Sequence, residues 1–211
     1  MFIGHFALGL ASKKFRSAPS LALTFIAVQF LDLIWPLFVL SGIESFHIEA
    51  GNTKLTPLNF SFYPYSHSLL MAFLWGLLMG LTYFFATKNK RGSFLLTMLV
   101  ISHWLLDFIS HRPDLPLSPF GGPKAGLGLW NYPVIETLFE VGIFIVGSML
   151  YYKHCKPRKK KAFGLLVGLF LIIHLMNIFG PPPPSEPAVA WAANLSWLFV
   201  LWAWWIERRT A

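Results

Sequence analysis

The sequence predicts an all-α fold, a multi-pass transmembrane bundle of about six spans plus a short amino-terminal half-helix, in one domain over residues 1–211. Three observations carry this. The chain is 55% hydrophobic and only 12% charged, whereas ordinary soluble domains carry about 25% charged residues. Its apolar runs are continuous rather than alternating, which selects helices over a closed strand barrel. Its Lys and Arg residues gather in every second loop, the topology signal of a membrane protein.

The elements follow from the apolar runs and their breaks. A short helix is expected at about 2–12, and spans at about 18–43, 67–87, 92–110, 133–152, 162–180 and 188–206. The first helix reaches only about 16 Å, roughly half a bilayer, so it is expected to be re-entrant or interfacial and tucked against the bundle. Gly4 and Gly9 would let it pack closely. No cleavable signal peptide is expected, since this run carries His5 and no basic region precedes it. The Gly180-Pro181-Pro182-Pro183-Pro184 run cannot continue a helix and reads as a stiff turn. The last span carries Trp191, Trp197, Trp202, Trp204 and Trp205, read mainly as lipid-facing bulk.

Four basic clusters set the orientation. They are Lys13, Lys14 and Arg16; Lys88, Lys90 and Arg91; Lys153, Lys156, Arg158, Lys159, Lys160 and Lys161; and Arg208 with Arg209. The alternate loops hold only Lys54, Arg112 and Lys124. The basic side is therefore expected to be cytoplasmic. The net charge of +8 resides in these loops rather than in a binding stripe, so no nucleic-acid partner is expected. The single Cys155 excludes an intramolecular disulfide and a cysteine-based zinc site.

The chemistry-bearing stretch is Ser102-His103-Trp104-Leu105-Leu106-Asp107-Phe108-Ile109-Ser110-His111. It places His103, Asp107 and His111 on one stripe of an apolar helix. Imidazoles and carboxylates are ligands that zinc accepts. Ionisable groups at membrane depth cost about 2.5–3.5 kcal/mol each on insertion scales, so they tend to be functional. The stretch fits equally a polar seam that bonds helix to helix.

Depth brings other residues to the same level. Asp32 lies about 21 Å up a span that starts inside, and His103 and Asp107 about 17 and 22 Å up theirs. His67 opens a span from outside; Glu136 and Glu140 lie in the first turns of another; His111 and Asp114 follow the outer end of the fourth. His5, about 11 Å up, belongs only if the short helix tilts outward. Each residue has a plainer role open to it. Asp32 fits a hydrogen bond to Gln29 or a carbonyl, and His67 a helix start. Glu136 and Glu140 fit first-turn charges favoured by the helix dipole, and Asp114 a turn after Pro113. His174 and Asn177, without acidic company, read as interhelical hydrogen-bond partners. His47 and His154 read as loop residues.

Gly4-His5, Asp32, Ser66-His67-Ser68-Leu69-Leu70 and Ser102-His103-x-x-x-Asp107 resemble, in order and spacing, the motifs of the YdjM-like inner-membrane proteins, a family described as metal-dependent hydrolases. The resemblance covers roughly residues 1–115. That family is in turn similar to the zinc-dependent phospholipase C and single-strand nuclease superfamily. The resemblance implies a metal site at His5, Asp32, His67, His103 and Asp107, and a bacterial inner-membrane location. The family's paired aspartates are reduced here to Leu31-Asp32-Leu33-Ile34, and the superfamily's later His-x-x-x-Glu has no copy; Glu136-x-x-x-Glu140 is the nearest acidic pair.

The expected function is therefore hydrolysis of a lipid or lipid-linked phosphoester using a divalent metal, zinc by ligand type. His111, Asp114 or Glu136, near the mouth, would be the general acid or base. Arg112 and Lys124 would either attract a phosphate head group or lie solvated. Two other classes compete. A proton- or metal-ion-coupled transporter would use the same cluster but needs polar residues through the full depth, and the inner halves look apolar. A non-catalytic interaction protein would use these polar residues as glue.

Overall fold

The computed structural model describes residues 1–157 and 159–208, so Arg158 and Arg209 of the basic clusters lie outside the described residues. The chain is mostly helical. Among the described residues, five helices are long and apolar enough to cross a membrane, or six if a bent pair counts as one span.

Helix α1 (Ile3–Ser12) matches the expected half-length element. Helices α2 (Leu21–Val28) and α3 (Phe30–Leu40) replace the single span expected at 18–43, with a 56° bend between them. Ser20 caps α2 by accepting from the Leu23 N–H. At the bend the Val28 carbonyl accepts a hydrogen bond from the His103 ring. Pro36, inside α3, also has no N–H to return to the Asp32 carbonyl. The apolar run gives no sign of the bend, because hydropathy reports burial and not where a carbonyl finds its partner.

The loop expected between 44 and 66 contains an antiparallel hairpin, β1 (Ser45–Ile48) with β2 (Leu58–Phe62). A one-turn helix, α4 (Pro64–His67), follows; His67 closes this turn rather than opening a long span. Ser68 then caps α5 (Leu69–Thr87) through the Met71 N–H. Helix α6 runs Lys90–Ser110. A second short pair, β3 (Leu115–Pro116) with β4 (Lys124–Ala125), and a 3₁₀ turn at Leu129–Asn131 precede α7 (Pro133–Cys155). Helix α8 (Lys160–Phe179) ends at the proline run, and α9 (Glu186–Asn194) continues into α10 (Ser196–Glu207).

Packing depends on where small residues fall. Helix α5 buries only Ala72, Gly76 and Gly80, one stripe at helical spacing, against α6. Thr97 Oγ1 donates to the Gly76 carbonyl at 3.0 Å and Ser93 Oγ to that of Gly80 at 2.7 Å. The rest of α5 exposes Leu74, Leu78, Leu81 and Phe85, an outward apolar surface on a helix long and apolar enough to cross a membrane. Helix α1 is interior, packed on α2, α6 and most extensively on α7. Phe6 meets Phe25, Phe170 and Phe199 in a core formed with α8 and α10.

Contacts gather the segments bearing the basic clusters at one end. Lys13 pairs with Glu207 at 3.0 Å, Asn89 donates to the Ser17 carbonyl, Cys155 Sγ donates to the Lys13 carbonyl, and Lys159 lies over the Trp205 ring. The opposite loops are tied to one another by His47 with Glu186 and by Arg112 with Asn59. The alternation read from the sequence thus corresponds to two ends of one bundle.

Candidate metal centre

Four elements besides the α2–α3 bend deliver the site. Helix α1 supplies His5, α3 Asp32, α4 His67, and α6 both His103 and Asp107 one turn apart. The short α4 aims His67 inward from the loop side, and the bend carries Asp32 over the α6 pair. His103 Nε2 lies 3.1 Å from Asp107 Oδ2 and 3.7 Å from Asp32 Oδ1. His67 Nε2 lies 3.4 Å from Asp32 Oδ1 and 3.9 Å from Asp107 Oδ2. His5 Nε2 lies 3.1 Å from Asp107 Oδ1, its ring stacked on His103 with centroids 3.7 Å apart. The Met1 amino nitrogen is 2.7 Å from Asp107 Oδ1.

All five residues of the expected metal set therefore meet, His5 included. A rise counted from Lys13 leaves His5 only about 11 Å up, because it assumes an upright helix that starts at the inner surface. Two overlapping triads, His5–Asp32–His103 and His67–His103–Asp107, each hold their ligand atoms within 4.8 Å of one another. The histidines and Asp107 are buried, while the Asp32 side chain keeps 34% of its accessibility. Access is thus from the Asp32 side.

Two of the imidazoles are oriented through their Nδ1 atoms. His103 donates Nδ1–H to the Val28 carbonyl at 2.6 Å, which leaves the lone pair of the neutral ring on Nε2. That Nε2 is buried without a hydrogen-bond partner and faces two carboxylates. In the neutral ring a lone pair against anionic oxygens is repulsive, and either a proton on Nε2 or a metal cation between the groups removes the conflict. His67 is held the same way. Its Nδ1 lies 2.7 Å from Ser66 Oγ, which donates to Glu44 Oε2 at 2.6 Å. Glu44 is itself fixed by the Tyr65 and Ser66 N–H groups, both at 2.8 Å. Ser66→Ala should cut this relay and weaken metal binding about 10–100-fold, the usual cost of losing a group that orients a ligand. Isothermal titration with zinc would measure it, and unchanged affinity would remove the relay from the site.

His111 and Asp114 form a separate pair beside the centre. His111 Nδ1 is 3.0 Å from Asp114 Oδ1, Tyr63 OH donates to the same oxygen at 3.1 Å, and Arg112 Nε donates to Oδ2 at 3.1 Å. Burial opposes the charge on Asp114, but its bonds to His111, Arg112 and Tyr63 prevail and hold its carboxyl below the ordinary value. The Tyr63 ring lies 5.4 Å from that of His67 and 6.1 Å from that of His111, so one aromatic ring separates the pair from the centre. Asp114 is more than a turn residue, and Arg112, though partly exposed, is not an isolated loop cation, since its guanidinium also reaches Asn59 at 2.7 Å. Lys124 remains exposed.

Glu136 is not brought to this pair. It is fully buried on α7 with Glu140 and His174. Glu140 Oε1 accepts from the Phe2 and Gly4 N–H groups at the start of α1. His174, expected to lack acidic company, has Nδ1 3.9 Å from Glu140 Oε2. Sequence reasoning missed Glu44, Tyr63 and the Val28 carbonyl. None sits in a metal-ligand pattern, and a backbone carbonyl carries no sequence signal. Comparison with protein-family models, curated proteins and solved structures returned no match.

Proposed function

We propose that the chain is a multi-pass membrane hydrolase that uses a divalent metal, zinc by donor type, on a lipid or lipid-linked phosphoester. The observation that carries this is His103 Nε2, buried, unpartnered and aimed at Asp32 and Asp107. The ordered series Gly4-His5, Asp32, His67 and His103-x-x-x-Asp107 supports kinship with the YdjM-like family.

When bound, the ion supplies a Lewis acid for a phosphoryl oxygen and lowers the pKa of water toward neutrality. His5, His67, His103, Asp32 and Asp107 would hold it. The Val28 carbonyl and the Ser66–Glu44 relay keep two of the imidazoles in the ligating tautomer. His111, bonded to Asp114, would hold or pass a proton from beyond the Tyr63 ring. Lys124, exposed on the loop above, suits a phosphate head group.

Purified protein loaded with zinc should release phosphate or head group from mixed vesicles containing phosphatidic acid or phosphatidylglycerol, and a chelator should stop it. Stoichiometric zinc with no turnover of either lipid would leave a metal protein without this chemistry. The orientation has its own check. In a Cys155→Ser background, a cysteine replacing Phe120, which is 91% exposed, should react with an impermeant maleimide in intact cells, and one replacing Lys90 should not. The reverse pattern would invert the topology.

A further inference from the structure

We propose that Glu136, Glu140 and His174 form a second divalent-cation site, distinct from the His5–Asp32–His67–His103–Asp107 centre. Their ligand atoms lie within 4.8 Å of one another across α7 and α8. Glu136 is 0% exposed, and its carboxylate oxygens meet no donor group, the neighbouring polar group being the Glu140 carboxylate. His174 is 3% exposed, and its Nε2 is likewise unpartnered. Glu140 divides its labour: Oε1 is held by the Phe2 and Gly4 amides, leaving Oε2 facing His174.

Two buried carboxylates one helical turn apart repel each other, and a buried polar atom without a partner is costly. One divalent ion cancels both charges, satisfies the Glu136 oxygens and takes the His174 lone pair. Two carboxylates with one imidazole suit manganese, iron or zinc better than calcium, which wants six or more oxygens. Through Glu140 the site also touches the amino end of α1, which carries His5, so its occupancy bears on how firmly α1 is held.

The test is manganese and zinc content, by elemental analysis, of detergent-purified wild type, Asp107→Asn, Glu136→Gln and the double variant, each after saturation with the metal and removal of excess. Glu136→Gln should lose one equivalent while Asp107→Asn keeps that same equivalent, and the double variant should hold neither. His174→Gln provides the same readout if Glu136→Gln fails to fold. The manganese spin signal of Asp107→Asn, with and without ¹⁵N-labelled histidine, would report imidazole at the retained ion. Metal content unchanged by Glu136→Gln and by His174→Gln would overturn the proposal. So would an infrared carbonyl band of a protonated carboxyl that persists in saturating metal and vanishes in Glu136→Gln, since a shared proton would then do the cation's work. Loss of metal in Asp107→Asn bears only on the first centre, so the two readings fail separately.

Discussion

Asp107→Asn is expected to lose the ion at the first centre and all hydrolytic activity while expressing and folding like wild type. Asparagine keeps the shape of the side chain and removes its charge. Asp107 is the residue on which the site converges: Oδ1 faces His5 and Oδ2 faces His103 and His67. Losing an orienting neighbour costs about 10–100-fold in affinity, so losing a charged ligand should cost more than about 100-fold. If Asp107 served only to bond α6 to α1, asparagine would still bond and function would persist. Zinc content by elemental analysis, with thermal unfolding in detergent as the folding control, separates the two. Equal metal and equal turnover in wild type and Asp107→Asn would remove the centre.

Much of this site was legible because its ligands are rare residue types in an apolar background. A carboxylate or imidazole in a span is conspicuous, and a rise of about 1.5 Å per residue gives its level. That arithmetic puts Asp32, His67, His103 and Asp107 at one level, together with His111, Asp114, Glu136 and Glu140, and it is the resemblance that singles out the first four with His5 as ligands. The arithmetic failed where a helix is not upright or not continuous. The 56° bend between α2 and α3 and the one-turn α4 reset the geometry of Asp32 and His67 without changing hydropathy. The hairpins in the outer loops escaped because their short strands leave too little alternation to read. Glu44 escaped for a different reason. Its role depends on reaching Ser66 across the hairpin, a tertiary fact that no local pattern encodes. Glu136, Glu140 and His174 were each visible, but the order of α7 and α8 in sequence does not say which faces meet.

Gly147→Ala is expected to be more damaging than a single methyl suggests, and the reason lies in how α1 is seated. A Cβ on Gly147 would overlap the Ala7 carbonyl oxygen and press on the Ala7 backbone, which cannot swing aside as a side chain does. Helix propensity favours alanine over glycine by up to about 1 kcal/mol. Overpacking commonly costs about 1–3 kcal/mol and more where backbone must move, so the clash should prevail. The control lies on the same helix. A Cβ at Gly142 meets nothing within 4 Å, so Gly142→Ala should leave stability unchanged or raise it by up to about 1 kcal/mol. Because α1 carries His5 and is pinned to α7 by Glu140, separating the two helices should also weaken zinc binding in Gly147→Ala but not in Gly142→Ala. Thermal unfolding and zinc titration of the two variants side by side measure both effects. If Gly147→Ala proves as stable as wild type with full zinc affinity, then the close seating of α1 on α7 is not what holds His5 in the centre.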